Sequence, residues 1–195
     1  MTSKEEIDNI VNNFKGEYLT TVTNKLSEDG RMNPSMTILY KKQGENEVTS
    51  EQMMIPPELL GKHKGKDVFT LIVPKLITSI SDKGDEPICV AWSAEVEIAK
   101  SPKPIDVDNF TMPTKEEIEA TYIREEGVVM YFESQSTSDI DCRLIKRDGM
   151  RVNSDGEVVD NIILEPYRDF IGMDKKQVKM AGRFTNLFPN KEKNE

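Results

Sequence analysis

From residue 88 to residue 98 the chain alternates. Ile88, Val90, Trp92, Ala94, Val96 and Ile98 are apolar, while Cys89, Ala91, Ser93, Glu95 and Glu97 between them are small or charged. Period two over this length predicts a long strand over 86–100 with one buried face. It holds the only tryptophan, so we place it at the centre of a sheet. Trp92 is expected to pack between sheet and helices, with Val90, Ala94, Phe14 and Phe69 around it.

Other stretches carry the helical period. Ile7, Ile10, Val11, Phe14, Tyr18, Val22 and Leu26 recur at three- and four-residue steps behind Ser3-Lys4-Glu5-Glu6, a capping-box pattern. They predict a helix over 4–26, closed by Asp29-Gly30. A second helix is predicted over 66–81, bent at Pro74, where a backbone donor is lost. Strands are predicted over 36–42 and 47–55, joined by a polar turn at 43–46, and over 128–134, 139–147 and 158–164. Asp148-Gly149 and Asp155-Gly156 read as turns. Thr114 to Glu117 is another capping box, and 101–109 is a Pro-rich acidic loop.

Short connections between the late strands favour antiparallel pairing. The expected fold is α+β, a mainly antiparallel sheet with two principal helices packed on one face. Residues 1–189 are expected to form one domain, the default for a chain of this size, and 190–195 a flexible polar tail. Phe184, Leu187 and Phe188 are spaced to pack back onto the body as a final helical turn.

Charge narrows the function. The formal net charge is -9, which disfavours broad nucleic-acid binding. From Asp174 onward six bases face three acids, so residues 174–195 carry +3 and residues 1–173 carry -12. The N-terminus has no apolar signal region and no uninterrupted apolar 18-mer follows, so a cytoplasmic protein with no membrane contact is expected. Cys89 and Cys142 fall inside predicted strands and are expected to be buried free thiols. With one histidine, a structural zinc site of the usual kind is nearly excluded, and no cofactor is implied.

Few residues carry candidate chemistry. Gly61 to Asp67, GKHKGKD, sets Lys62, His63, Lys64 and Lys66 ahead of a helix, where amides and cations can hold an anion. It is no phosphate-binding loop: its glycines are one residue too close, and Asp67 replaces the magnesium-binding hydroxyl. Glu95 with Glu97, and Asp139 with Asp141, are strand carboxylates at i, i+2, able to hold a metal ion or to divide acid and base roles. The wet face of a half-exposed sheet is the favoured explanation of them. Arg124 and Glu126 form a charged knot, a candidate for recognition or a plain surface ion pair. His63 and the strand cysteines do not read as a nucleophilic pair.

The element order, with Ser93-Ala94-Glu95 in the central strand and Arg124-Glu125-Glu126 ahead of a paired strand, resembles small phage-borne or bacterial accessory proteins of unassigned activity. The resemblance transfers no functional residue. The sequence favours a non-enzymatic accessory or interaction protein with a protein partner. Its rivals are a metal-dependent hydrolase or nuclease using Glu95, Glu97, Asp139 and Asp141, and an acidic decoy that inhibits a nucleic-acid-binding protein.

Overall fold

The computed structural model describes residues 2–54, 65–100, 111, 113–153 and 155–167. Helix α1 spans Lys4–Asp29. Ser3 caps it, accepting from the Glu6 N–H, and Gly30 closes it at φ 67°, donating to the Leu26 carbonyl. That left-handed conformation costs glycine little. Strands β1 (Ser35–Lys41) and β2 (Val48–Met54) follow. Helix α2 (Gly65–Asp82) runs on through Pro74. Then come β3 (Glu86–Lys100), the short capping-box helix α3 (Lys115–Thr121), β4 (Ile123–Ser134), β5 (Ser138–Val152) and β6 (Val158–Pro166). The strands form one antiparallel sheet in the order β2-β1-β3-β4-β5-β6. The α+β class and the antiparallel sheet agree with the sequence.

The placement of the helices does not. They lie on opposite faces of the sheet, not on one. On the α1 side, Ile7, Val11, Tyr18, Val22 and Leu26 pack with Leu39, Cys89, Ala91, Met130 and Phe132. On the α2 side, Val73, Ile77 and Ile80 pack with Met36, Ile38, Val90, Trp92 and Tyr131. Strand β3 is therefore buried on both faces where the helices flank it. The small residues at its odd positions, Cys89, Ala91 and Ser93, are fully buried; small side chains leave room for an approaching helix. Exposed odd positions begin only at Glu95. Trp92 is buried beside Val90 and Ala94, while Phe14 packs on the opposite face. The side chain of Phe69 lies outside the described residues, as do residues 168–195.

The sheet curls around α1. This helix approaches β3, β4 and β6 directly, and those strands span about 14 Å if flat, more than one helix diameter of about 10–12 Å. Two bulges adjust the sheet. Leu39 pairs with Cys89 but Tyr40 with Pro87, so Ile88 is an extra residue, and Ile88 and Cys89 both join the α1-side core. The second bulge lies between Arg147 and Met150. Asp148-Gly149, expected to be a turn, is that bulge instead: Gly149 at φ 73° supplies the left-handed residue such a bulge uses, and β5 runs on to Val152.

Cys89 and Cys142 are both buried and free. Burial pushes the Cys89 thiol up to about 12 and the Cys142 thiol to about 11. Burial likewise raises Tyr18 and Tyr131. Groups with raised pKa values keep their protons in the fold after the unfolded chain has lost them. Their stabilisation is complete below about pH 9, the ordinary thiol value, and is lost as pH rises towards the folded values. Stability should thus fall above pH 9, with Cys89 contributing on the order of 1.4 kcal/mol per pH unit. Denaturant titrations from pH 7 to 11 check this; Cys89→Ala should flatten the slope, and an unchanged slope would refute the assignment.

Candidate functional site

The four strand carboxylates occupy the α1 side of the sheet, but apart. Register places Asp141 level with Ser93, and Asp139 level with Ala91, on a strand two removed from β3. About 10 Å across the sheet, and at least 7 Å along it, separate them from Glu95. Each has its own partner. Glu95 accepts from the Met32 N–H. Glu97 pairs with Arg124 at 3.3 Å, Asp139 with Lys15 at 2.7 Å, and Asp141 with Arg143 at 2.9 Å. Among the described residues no three His, Cys, Asp or Glu side chains gather as metal ligands. Lys62, His63 and Lys64 lie outside the described residues, and only the backbone of Lys66 is described.

Among the described residues, buried polar side chains bond to one another on both sides of the sheet. Below α1 the Tyr18 hydroxyl lies 2.9 Å from the Ser93 hydroxyl, which lies 3.2 Å from that of Ser35. On β4 the Tyr131 phenol donates to Glu133 Oε2 at 2.8 Å, and both residues are buried. Burial first, and then the Glu133 charge, raise the phenol's pKa and keep it a donor. A groove of about 740 Å³ opens where the start of α1 meets the β1–β2 turn and the α2–β3 connection. Three of its acids are already bonded: Glu6 to Lys41, Asp85 to the Gln43 N–H, and Glu86 to Thr2. These groups hold the fold together.

The surface stands out at the β5–β6 hairpin. Pairing of β5 with β4 ends at Leu144 opposite Gly127, but pairing with β6 continues to Val152 opposite Val158. Beyond Leu144 the two strands run as a ribbon. Ion pairs brace its base: Lys146 to Glu125 at 2.8 Å, Arg147 to Glu126 at 3.0 Å and Arg147 to Asp160 at 2.8 Å. Glu126 thus braces the ribbon through Arg147, while Arg124 bonds Glu97 and Glu119; the two do not form one knot. At the tip, Met150, Val152 and Val158 are 75%, 64% and 66% exposed. Met150 pairs with Asp160, and Val152 with Val158, so strand alternation puts all three apolar side chains on one face.

The acidity is concentrated in the segment that carries α3, β4, β5 and β6, although the ribbon itself, residues 145–162, holds four acids and three bases. Between residues 116 and 165 thirteen acids face five bases, -8 of the chain's -9. Sequence reading missed this site because Asp148-Gly149 looked like the end of a strand. The available signal was the apolar alternation Met150, Val152 on one side of Asp155-Gly156 and Val158 on the other. Comparison with known protein families, with curated proteins and with solved structures finds no match.

Proposed function

We propose that this is a non-enzymatic interaction protein whose contact surface is the β5–β6 ribbon. The observation that carries the reading is the shared exposure of Met150, Val152 and Val158 on one face of a ribbon that runs past the end of β4. Two strands alone are marginal in water, and apolar side chains gathered at such a tip mark a site of contact. The base of the ribbon is braced by three ion pairs, so the tip is presented on a fixed mount.

The triple substitution Met150→Thr, Val152→Thr, Val158→Thr tests the reading, removing apolar surface without setting like charges opposite one another. These side chains bury little in the fold, so the melting temperature should stay within a few degrees, the usual outcome of exposed changes worth about 0.5 kcal/mol each. The expected result is a partner retained from source-cell lysate by the wild-type protein and lost by the variant. The same proteins retained by both would reject the ribbon as the contact surface.

A second reading has one observation in its favour. The concentration of -8 between residues 116 and 165 suits an acidic body that occupies a nucleic-acid-binding protein. Under it, short duplex DNA displaces the partner in competition; a partner indifferent to DNA would leave only the first reading.

A further inference from the structure

We propose that β6 takes up an extended segment of a basic partner protein as a seventh strand. The segment is apolar at its centre and carries Lys or Arg towards both ends. This deepens the reading of the ribbon as the contact surface, and rests on it.

Among the described residues, no strand pairs with the outer side of β6. The Tyr167 N–H donates to the Cys142 carbonyl at 3.0 Å, so these residues form a hydrogen-bonded pair. Such pairs alternate along an antiparallel ladder. Glu165 and Ile163 therefore face β5 with their backbone groups, while Ile162 and Leu164 turn theirs outward. No hydrogen bond from a described residue reaches those outward groups. Pro166 falls in the same outward row with no N–H to offer, so strand addition stops there.

The side chains favour an apolar centre. Asn161, Ile162, Ile163 and Leu164 are four uncharged residues in succession, the kind of edge that pairs readily with another chain. A strand laid against them extends one row past Val158, Ile162 and Leu164, and another past Ile163. The other edge, β2, has Glu51 at its centre and exposes most of its side chains, so a strand added there would bury little.

Charge selects the occupant. Asp160 and Glu165 flank the uncharged run on opposite faces of β6, with Glu157 beyond. A second copy pairing antiparallel about Ile162 would set Asp160 opposite Leu164 and Glu165 opposite Val159, leaving the acids without the opposite charge that stabilises a cross-strand pair. A basic segment meets Glu165 and Glu157 at its two ends, while Asp160 is already bonded to Arg147. Main-chain bonds would supply affinity, and the flanking charges specificity and speed of encounter.

Hydrogen exchange on the isotope-labelled full chain tests this, with a synthetic peptide of alternating valine and threonine flanked by lysine pairs as the probe. In the free protein the amides of Ile162 and Leu164 should exchange fast, and those of Ile163 and Glu165 slowly. Peptide should slow Ile162 and Leu164 specifically. Glutamate in place of the lysines should weaken binding about tenfold or more, and N-methylation of two adjacent central residues, which removes a donor from each peptide edge, should abolish it. No binding at millimolar peptide would overturn the proposal. So would slow exchange at Ile162 and Leu164 in the free protein; loss of that protection on dilution would identify a second copy, and its persistence a segment of the same chain. Binding that perturbs Met150, Val152 and Val158 without protecting Ile162 and Leu164 would end strand addition but keep the ribbon reading. Protection of Ile162 and Leu164 that survives the triple threonine substitution would instead separate the edge from the tip.

Discussion

Replacing Trp92 with alanine is expected to lower the unfolding free energy by about 3–5 kcal/mol. The side chain is buried among Met36, Ile38, Val73, Ile77 and Val90, and its ring centroid lies 6.1 Å from that of Tyr131. Truncation loses the transfer energy of the indole and leaves a cavity that strands β1, β3 and β4 cannot collapse to fill. A domain with a total stability of about 5–15 kcal/mol would feel this as a large fraction. Chemical denaturation followed by circular dichroism measures it, and native tryptophan fluorescence should be blue-shifted. A loss below about 1 kcal/mol, the scale of exposed substitutions, would contradict the packing. A second variant distinguishes the arrangement of the helices. Phe14 packs beyond the sheet, against Tyr18 at 5.3 Å and Phe132 at 6.3 Å between centroids. Phe14→Leu and Trp92→Phe should therefore add within about 0.5 kcal/mol. Strong coupling would put both residues in one core.

Gly127→Val should cost about 3 kcal/mol, at the upper end for overpacking. A Cβ at this buried strand position would fall on Ile98 Cδ1 and lie 2.9 Å from the Arg143 carbonyl oxygen. Ile98, on β3, closes over the space left by the missing side chain, and β5 approaches from the other side. Glycine within a strand often marks such a close approach. The pair Gly127→Ala and Ile98→Ala separates the two contacts. Ile98→Ala removes the clash with the flexible side chain and should recover part of the loss in Gly127→Ala, while the Arg143 carbonyl keeps the rest. Thermal melts of the four chains decide it. Equal stability of Gly127→Ala and the parent would show that the strands move apart freely.

Local patterns carried much of this fold. The long strand at 86–100 and the capped first helix are legible because burial imposes a period of two on strands and 3.6 on helices. The strands at 36–42 and 128–134 were legible for the same reason, although β4 begins earlier, at Ile123. Its opening Arg124-Glu125-Glu126 has the look of a solvated loop, and belongs to the sheet because Glu125 and Glu126 bond to Lys146 and Arg147 on β5. Of the candidate site, the carboxylates were visible and their isolation from one another was not. Strand spacing in the sequence says which residues share a face, while register, set between strands, says how far apart they stand.

By itself the sequence determined the class: alternation, helical periods and turn residues act over a few neighbours and specify elements and antiparallel pairing. It also determined the acidity of residues 116–165 and the strand positions of both cysteines. Only the tertiary structure decided that the helices flank the sheet on opposite faces, since small residues such as Cys89, Ala91 and Ser93 serve an exposed face or a close helix equally well until the helix is docked. Only it decided that Asp148-Gly149 bends a strand instead of ending it, because a left-handed glycine fits a turn or a bulge, and pairing with β6 selects between them. The ribbon and its apolar tip follow from that choice.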